Sequence, residues 1–445
     1  MRPFCFAAGS VTWYVFAMRV DFAFGKTGLP VDLPSGFEYR LLEARGAKPL
    51  ADASAALDQA IDDPIGCLPL AELARGKRSA AISVCDITRP APNKQTLPPV
   101  LKRLAEAGIP ASETRILIAT GLHRPATEAE IHEIVGPDIA ARYPILNHDA
   151  RALAEHRHLG STRSGIPVYI DERFCSADLH ITLGFIEPHL MLGFSGGRKL
   201  IAPGLAAQET IKVIHSPKYM RNARSIEGSI ENNPLHHELL EIASMARHDF
   251  MLDVALARDR SIAGVFAGNA VSAHRKGVDF VSSHLLELID EPVDAVITTA
   301  AGYPLDLTFY QTVKGITAAQ HILKPGGKIL VFAACSEGAG APEFKEMMES
   351  FESYQSFLDT IRDRAVIVDQ WQMEKLALVG VQHDVLFYVP GLPEETRRGF
   401  AGNMFRSAEE AVNGLASQLP ANARIAVIPE GPYVLAKLRE PALVS

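Results

Sequence analysis

The sequence has little cysteine, no excess of positive charge and no apolar run long enough to span a membrane comfortably. Five cysteines stand at positions 5, 67, 85, 175 and 335 of 445 residues, without a CxxC pair, which argues against a disulfide framework or a thiolate zinc site. The formal net charge is −8, so a general nucleic-acid binder is excluded. These absences predict a protein of the reducing cytoplasm, with neither nucleic acid nor membrane as partner.

The first 17 residues stand apart from the rest of the chain. The segment from Phe4 to Ala17 carries no charge but is short for a bilayer span. Met18 offers a second start, and the residues after it alternate polar and apolar like a first strand. We expect residues 1–17 to be a disordered tail or an upstream start, and a secretory signal is the alternative.

Short apolar runs alternate with longer amphipathic segments, which predicts an α/β protein with parallel sheets. The predicted strands of the first half are 80–85, 115–120 and 179–184, with helices at 93–108 and 128–135. After a helical zone at about 235–290 come predicted strands at 294–299, 328–333, 365–368, 384–389 and 424–428, with a helix at 312–323. We expect two Rossmann-like α/β domains, residues 18–288 and 289–445, flanking an interdomain active-site cleft.

Polar side chains follow three of the predicted strands. They lie in the segments 86–90, 121–125 and 184–189, which carry Asp/Arg, His/Arg and Glu/His respectively. One such loop could simply turn the chain. Three at the same sheet edge favour a functional site.

A glycine-rich segment, 189–204, surrounds Lys199 and suggests phosphate binding through backbone amides. It is not a Walker A motif, because Leu200 stands where a magnesium-binding hydroxyl would be needed. A helix start at residues 310–315 is either an anion site or an ordinary surface turn. Trp371 could line a pocket, although core packing is the usual role of such a residue.

Together these motifs resemble the nickel-dependent lactate racemase family, whose members racemise or epimerise 2-hydroxy acids. The resemblance extends from about residue 18 to residue 430. It is carried by Asp86-x-Thr88-Arg89-Pro90, Gly121-Leu122-His123-Arg124, the block from Pro188-His189 through Ser195-Gly196-Gly197-Arg198-Lys199 to His215, and Tyr310-Gln311-x-x-Lys314.

The resemblance implies a nickel-pincer nucleotide, a pyridinium mononucleotide that holds nickel through S, C and S. It implies that Lys199 tethers this cofactor covalently, that His215 completes the nickel coordination, and that His123 and His189 alternate as general base and acid. The further residues that it implies are, for the cofactor, Asp86, Ile87, Thr88, Arg89, Ser195, Gly196 and Gly197, and, for the substrate, Arg89, Tyr310, Gln311, Lys314 and Trp371.

The expected activity is inversion of the C2 stereocentre of a 2-hydroxy acid by hydride abstraction and return. Leu190, Met191 and Leu192 leave the substrate open among lactate, malate, an aryl lactate and a sugar acid. The expected partners are this small molecule and the enzymes that make and load the cofactor. A nicotinamide dehydrogenase is disfavoured because no G-x-G-x-x-G turn follows a first strand. The alternative is a catalytically inactive binding homologue of the same fold.

Overall fold

The computed structural model describes residue 13, residues 18–43 and residues 46–439. The chain forms two compact units. We call residues 1–44 with 285–445 the outer unit, and residues 45–284 the middle unit.

The strands are β1 (Met18–Phe22), β2 (Leu29–Leu33), β3 (Glu38–Leu41), β4 (Ala80–Cys85), β5 (Thr114–Ala119), β6 (Ile145–Asn147), β7 (His156–Ser161), β8 (Pro167–Asp171), β9 (Leu179–Phe185), β10 (Pro188–His189), β11 (Gly193–Phe194), β12 (Phe250–Leu256), β13 (Ile262–Gly268), β14 (Leu286–Ile289), β15 (Val293–Thr299), β16 (Leu323–Phe332), β17 (Asp384–Tyr388), β18 (Arg424–Ile428) and β19 (Leu435–Leu438).

The α-helices are α1 (Ala53–Asp62), α2 (Leu70–Leu73), α3 (Asn93–Glu106), α4 (Glu128–Val135), α5 (Pro137–Arg142), α6 (Glu172–Cys175), α7 (Gln208–Ile214), α8 (Pro217–Met220), α9 (Pro234–Met245), α10 (Ser272–Leu285), α11 (Phe309–Ala319), α12 (Pro342–Glu349), α13 (Tyr354–Thr360), α14 (Gln370–Gly380) and α15 (Ala408–Ala416). Short 3₁₀ turns occupy Ala111–Glu113, Leu153–Glu155, Gly197–Leu200, Gln320–Ile322, Glu394–Asn403 and Gly431–Tyr433.

The middle unit is built on a six-stranded sheet in the order β13-β12-β9-β4-β5-β6. All neighbours are parallel except β12 and β13, which pair antiparallel. Every residue of β4 is buried, as expected for a central strand covered on both faces. Because β9, β4 and β5 are parallel neighbours, the loops after them emerge at one edge of the sheet.

The outer unit contains a five-stranded parallel sheet in the order β17-β16-β15-β18-β3. Its core includes apolar side chains from both ends of the sequence. Val20, Phe22, Val31 and Leu33 of the β1–β2 hairpin are buried with Ile297 of β15 and others in one cluster. The expected parallel α/β class is thus confirmed in both units.

The structure corrects the predictions for residues 18–43, 235–290 and 365–368. Residues 18–43 were predicted to belong to an N-terminal domain of residues 18–288, whereas β3 pairs with β18 and the segment lies in the outer unit. The zone at 235–290 holds β12 and β13 between its helices, and residues 365–368 form no strand. The expectation for residues 1–17 concerns a segment that, except for Trp13, lies outside the described residues.

Within the described ranges, none of the helices combines the length and the apolar character needed to cross a membrane.

Candidate active site

The turn after β4 brings the predicted residues of segment 86–89 together. Thr88 Oγ1 donates a hydrogen bond to Asp86 Oδ1 at 2.7 Å, and Arg89 Nη1 donates to Thr88 Oγ1 at 3.0 Å. Asp86 is buried, while Thr88 and Arg89 are half-buried. Ile87 is half-buried and packs against the core of the middle unit.

The loop after β5 places His123 against Asp86. His123 Nδ1 lies 2.6 Å from Asp86 Oδ2. Burial would raise the pKa of Asp86, but the hydrogen bond and charge of His123, with the nearby Arg89, outweigh burial and hold that pKa at about 2. Because an ionised carboxylate can only accept, Nδ1 carries a proton, and when the ring is neutral its lone pair is therefore on Nε2. His123 is 39% exposed, so this geometry suits a base that meets a ligand.

The loop of His123 is fastened to the turn that carries Lys199. Gly121 N donates to Gly204 O at 3.0 Å, and Gly204 N donates to Lys199 O at 3.1 Å. Thr120 Oγ1 also donates to His148 O at 2.7 Å. The backbones of the two predicted functional residues are therefore connected through Gly204.

His189 lies in the short β10–β11 hairpin, where it pairs with Gly193. It is buried, and the backbone N–H of Met191 donates to its Nδ1 at 3.4 Å. With Nδ1 accepting, the proton of the neutral ring sits on Nε2. His123 and His189 therefore differ in the partner of Nδ1, which is a carboxylate oxygen for the first and a backbone N–H for the second.

The glycine-rich loop is held by an acid that the sequence analysis did not single out, Asp253 of β12. Gly197 N donates to Asp253 Oδ2 at 2.8 Å, and a Cβ at Gly196 would come 2.2 Å from the same oxygen. Gly196 and Gly197 have φ of +89° and +45°, which favours glycine at both positions. Burial raises the pKa of Asp253 to about 7. A single acid inside the apolar strand Phe250–Leu256 was the available signal.

Two amides of this loop already have partners within the protein. Ser195 N donates to Glu187 O at 2.9 Å, and Gly197 N is bound to Asp253. Ser195 Oγ donates to Phe185 O at 3.0 Å. The N–H groups of Ser195 and Gly197 are therefore not available to donate to the phosphate that the sequence analysis predicts at this loop.

Lys199 stands in the 3₁₀ turn Gly197–Leu200 and is half-buried. Burial, reinforced by the positive charge of Arg89, lowers the pKa of its amine to about 7. A substantial fraction of the amine is therefore neutral near pH 7, which is the nucleophilic form.

His215 is the residue at which helix α7 ends. It is buried, and its Nδ1–H donates to Ile211 O at 2.8 Å, which puts the lone pair of the neutral ring on Nε2. Burial lowers the pKa of His215 to about 4, and the charge of Lys199 acts in the same direction. The imidazole is therefore neutral near pH 7, as a metal ligand must be.

Among the residues the structure describes, no three or more His, Cys, Asp or Glu side chains converge in a way that could hold a metal. The buried thiols do not change this, since burial raises the pKa of Cys85 and of Cys335 to about 12.

The substrate-binding residues predicted for the outer unit also form a group. Trp371 Nε1 on α14 donates to Tyr310 OH on α11 at 3.0 Å, and Gln372 Nε2 donates to Tyr310 O at 2.7 Å. Gln311 and Lys314 lie one turn apart on α11 and so share a face. Gln311 Oε1 is a buried acceptor with no hydrogen-bond partner among the described residues.

The N-terminal amides of α11 are not available as an anion site. Phe309 N and Tyr310 N donate to the carbonyls of Gly338 and Ala339 at 2.9 and 3.0 Å. Thr312 N donates to Thr308 O at 3.3 Å. Anion recognition here would therefore fall to side chains, not to the helix terminus.

Comparison with known proteins adds independent information. Residues 24–228 match the family described as the lactate racemase N-terminal domain, and residues 289–436 match the lactate racemase C-terminal domain. The chain is 33% identical over 424 residues to a lactate racemase of Thermoanaerobacterium thermosaccharolyticum, covering 94% of this chain and 99% of the relative. It is 34% identical over 387 residues to a lactate racemase of Lactiplantibacillus plantarum, covering 86% and 90%.

Two solved structures are similar in fold. The lactate racemase apoprotein of T. thermosaccharolyticum superposes with a TM-score of 0.88 at 32% identity, covering 95% of this chain and 100% of that one. A protein of Thermotoga maritima superposes with a TM-score of 0.66 at 17% identity, covering 88% and 100%, which establishes likeness of fold alone.

Proposed function

Because the chain belongs to the lactate racemase family, and is thus an isomerase, we propose that it inverts the C2 stereocentre of a 2-hydroxy acid by hydride abstraction and return. His123 and His189 exchange the hydroxyl proton in this proposal. A nickel-pincer nucleotide, tethered at Lys199 and completed by His215, is the cofactor. The observation that carries the proposal is the Asp86–His123 pair, in which a buried carboxylate holds a partly exposed imidazole at 2.6 Å.

Inversion at C2 of a 2-hydroxy acid is easier by hydride transfer than by abstraction of the C2 proton. Removal of the C2 proton would leave a carbanion beside a carboxylate, with no imine or thioester to delocalise the charge. A nickel-pincer nucleotide held by Lys199 and His215 would supply the hydride acceptor that this reaction needs. The protein then has to hold the carboxylate and to move one proton on and off the hydroxyl oxygen.

The histidines suit the proton step. The lone pair at Nε2 of His123 takes the hydroxyl proton, and the carboxylate of Asp86 stabilises the imidazolium that forms. The proton at Nε2 of His189 is the one to be donated when the carbonyl oxygen becomes a hydroxyl again. Two such groups are needed because the enantiomers present the hydroxyl on opposite sides.

The residues present fit the proposed cofactor. Covalent attachment needs a neutral amine, and a pKa of about 7 gives Lys199 roughly a thousandfold more neutral amine at pH 7 than an ordinary lysine has. Coordination needs a neutral imidazole, and His215 is neutral with its lone pair on Nε2. Ni(II) accepts soft sulfur with imidazole in square-planar geometry.

Substrate recognition is proposed for side chains in both units. Arg89 can bind a carboxylate in bidentate fashion. For α11, taken by itself, we propose Lys314 as a carboxylate-binding residue and the unpaired Gln311 Oε1 as an acceptor for a hydroxyl. Tyr310 and Trp371, joined by their hydrogen bond, would form a rigid wall beside them.

The test is to purify the full chain from cells supplied with nickel and the cofactor-making enzymes, and to measure intact mass and nickel content. We expect an added mass that disappears in Lys199→Ala and persists in Lys94→Ala, an exposed lysine at the start of α3. The substrate is then identified by incubating the loaded chain with single-enantiomer lactate, malate, aryl lactates and sugar acids, and by measuring which of them loses optical rotation.

Two results would decide against parts of this proposal. A parent chain with neither added mass nor nickel would rule out the cofactor. A chain that carries both but racemises none of the acids would instead support the catalytically inactive binding homologue.

A further inference from the structure

Arg198 is a buried cation whose contacts the proposed reaction does not use. It is only 2% exposed, and burial lowers its pKa to about 9, so the guanidinium stays charged near pH 7. A buried charge is costly unless hydrogen bonds compensate it. Such a residue therefore requires partners that are themselves fixed in place.

The partners of Arg198 are carbonyls of the loop that precedes it. Nη2 donates to Leu192 O at 3.3 Å and to Phe194 O at 3.0 Å, and Nη1 donates to Gly196 O at 3.3 Å. The guanidinium thus binds alternate carbonyls over residues 192–196. A planar fork of several donors can satisfy carbonyls from different directions, which a lysine ammonium on a flexible stem does less well.

His274 of α10 reinforces this arrangement from outside the loop. Its Nε2 lies 2.8 Å from Arg198 Nη1 and 2.7 Å from Ser195 O. Because the guanidinium can only donate and the carbonyl can only accept, Nε2 either accepts from Arg198 or donates to Ser195. In both cases the ring packs against the same loop and is itself buried.

The segment held in this way connects two residues of the proposed reaction. At its start, Gly193 pairs with His189 in the β10–β11 hairpin. At its end, Lys199 N donates at 3.1 Å to Gly196 O, the same carbonyl that Arg198 binds. The backbone conformation of residues 192–197 therefore determines the Cα positions of His189 and Lys199.

We propose that Arg198 is a positioning residue whose guanidinium, together with His274, holds residues 192–197 in the conformation that places His189 and Lys199. The proposal rests on the function proposed above for these two residues. Arg198 is a positioning residue and not a catalytic one, since its guanidinium is directed at the loop carbonyls.

The experiment uses full-length Arg198→Ala and Arg198→Lys, with two measurements on each. Amide hydrogen exchange of peptides covering 189–200 reports the loop, and intact mass after cofactor loading reports Lys199. We expect Arg198→Ala to speed exchange in this segment about tenfold or more and to reduce loading, with β4 unaffected. Arg198→Lys should fold and behave like Arg198→Ala, because it keeps the charge but loses the fork.

Chemical rescue separates positioning from general stability. Millimolar guanidinium, which matches the missing group, should restore protection and loading in Arg198→Ala, whereas urea at the same concentration should not. The matched control is Arg103→Ala, which removes another buried arginine of the middle unit, bound to Asp62 on α1. It should lower the melting temperature without changing exchange at 189–200.

The proposal would be overturned if both Arg198 variants exchanged the amides of 189–200 at the rate of the parent chain, or if urea rescued Arg198→Ala as well as guanidinium does. If the parent chain never loads cofactor, the proposed function fails by itself, and the exchange result still decides whether Arg198 holds the loop.

Discussion

At the scale of single residues, the pair Asp86–His123 distinguishes the two proposed acid/base groups. His123 is bound to a carboxylate held ionised, whereas His189 accepts from a backbone amide. The two imidazole rings therefore differ in the group that contacts Nδ1. We propose that Asp86, which the resemblance assigns to the cofactor, also acts on the proton step through His123.

Asp86→Asn should lower kcat by about 10²–10⁴-fold. An asparagine amide can donate to Nδ1, which moves the ring proton to Nε2 and removes the base. The measurement is kcat per nickel-loaded chain, with intact mass confirming equal loading. Asp249→Asn is the control, since it disrupts a different His–Asp pair, His180–Asp249, at the start of β9 and so at the opposite end of that strand from the loop that follows it. Parental kcat in fully loaded Asp86→Asn would contradict this role.

At the scale of elements, strand β12 supports the glycine-rich loop through one acid. The pKa of Asp253 is raised by burial from its usual value to about 7, so the folded state favours the protonated carboxyl. An acid of this kind stabilises the fold at low pH, and its contribution is lost as the pH rises from about 4 to about 7.

Asp253→Asn should therefore raise the melting temperature at pH 8 more than at pH 5. The amide keeps an acceptor for Gly197 N and removes the charge that burial penalises, a difference of about 2–4 kcal/mol at the higher pH. Thermal melts at both pH values give the comparison, with exposed Asp149→Asn as the control. Equal shifts at pH 5 and pH 8 would show that Asp253 is ionised without cost.

The elements also show what local pattern can and cannot predict. The helix at Glu128–Val135 and the strand at Arg424–Ile428 were predicted with their observed bounds, because capping and buried β-branched runs are local signals. The helix predicted at 312–323 begins earlier, at Phe309, and gives way to strand β16 at Leu323. The run 365–368 is β-branched and apolar but finds no strand to pair with, which composition does not reveal.

The site residues also differ in whether the sequence pattern could identify them. His123, His189, Lys199 and His215 stood out because motif spacing identifies residue types. Asp253 and His274 did not, because their partners lie 56 and 79 residues away in sequence. Which polar groups are already satisfied, such as the amide of Gly197, is decided by tertiary contacts alone.

At the scale of the whole molecule, the outer unit is assembled from two distant stretches of chain. The middle unit has its own sheet and core within residues 45–284. One core cluster of the outer unit, in contrast, includes six buried side chains from before the middle unit: Val20, Phe22, Val31, Leu33, Phe37 and Tyr39.

A fragment of residues 46–284 should accordingly unfold cooperatively when expressed alone, whereas 285–439 should not. The second fragment lacks β3 at the sheet edge and those six core side chains. Joining residues 18–43 to it through a flexible Gly/Ser linker should restore a cooperative transition. Circular dichroism melts of the three proteins test this, and a sharp transition in unlinked 285–439 would contradict it.

The pairing of β3 with β18 has a consequence for protein synthesis. Glu38 and Arg424, which form an ion pair between these strands, are 386 residues apart. On the ribosome, the segment 18–43 emerges first and must wait until nearly the whole chain has been translated before its strand partner exists. The middle unit is complete long before then, so the residues proposed to hold the cofactor can be in place while the edge of the other sheet is still unpaired.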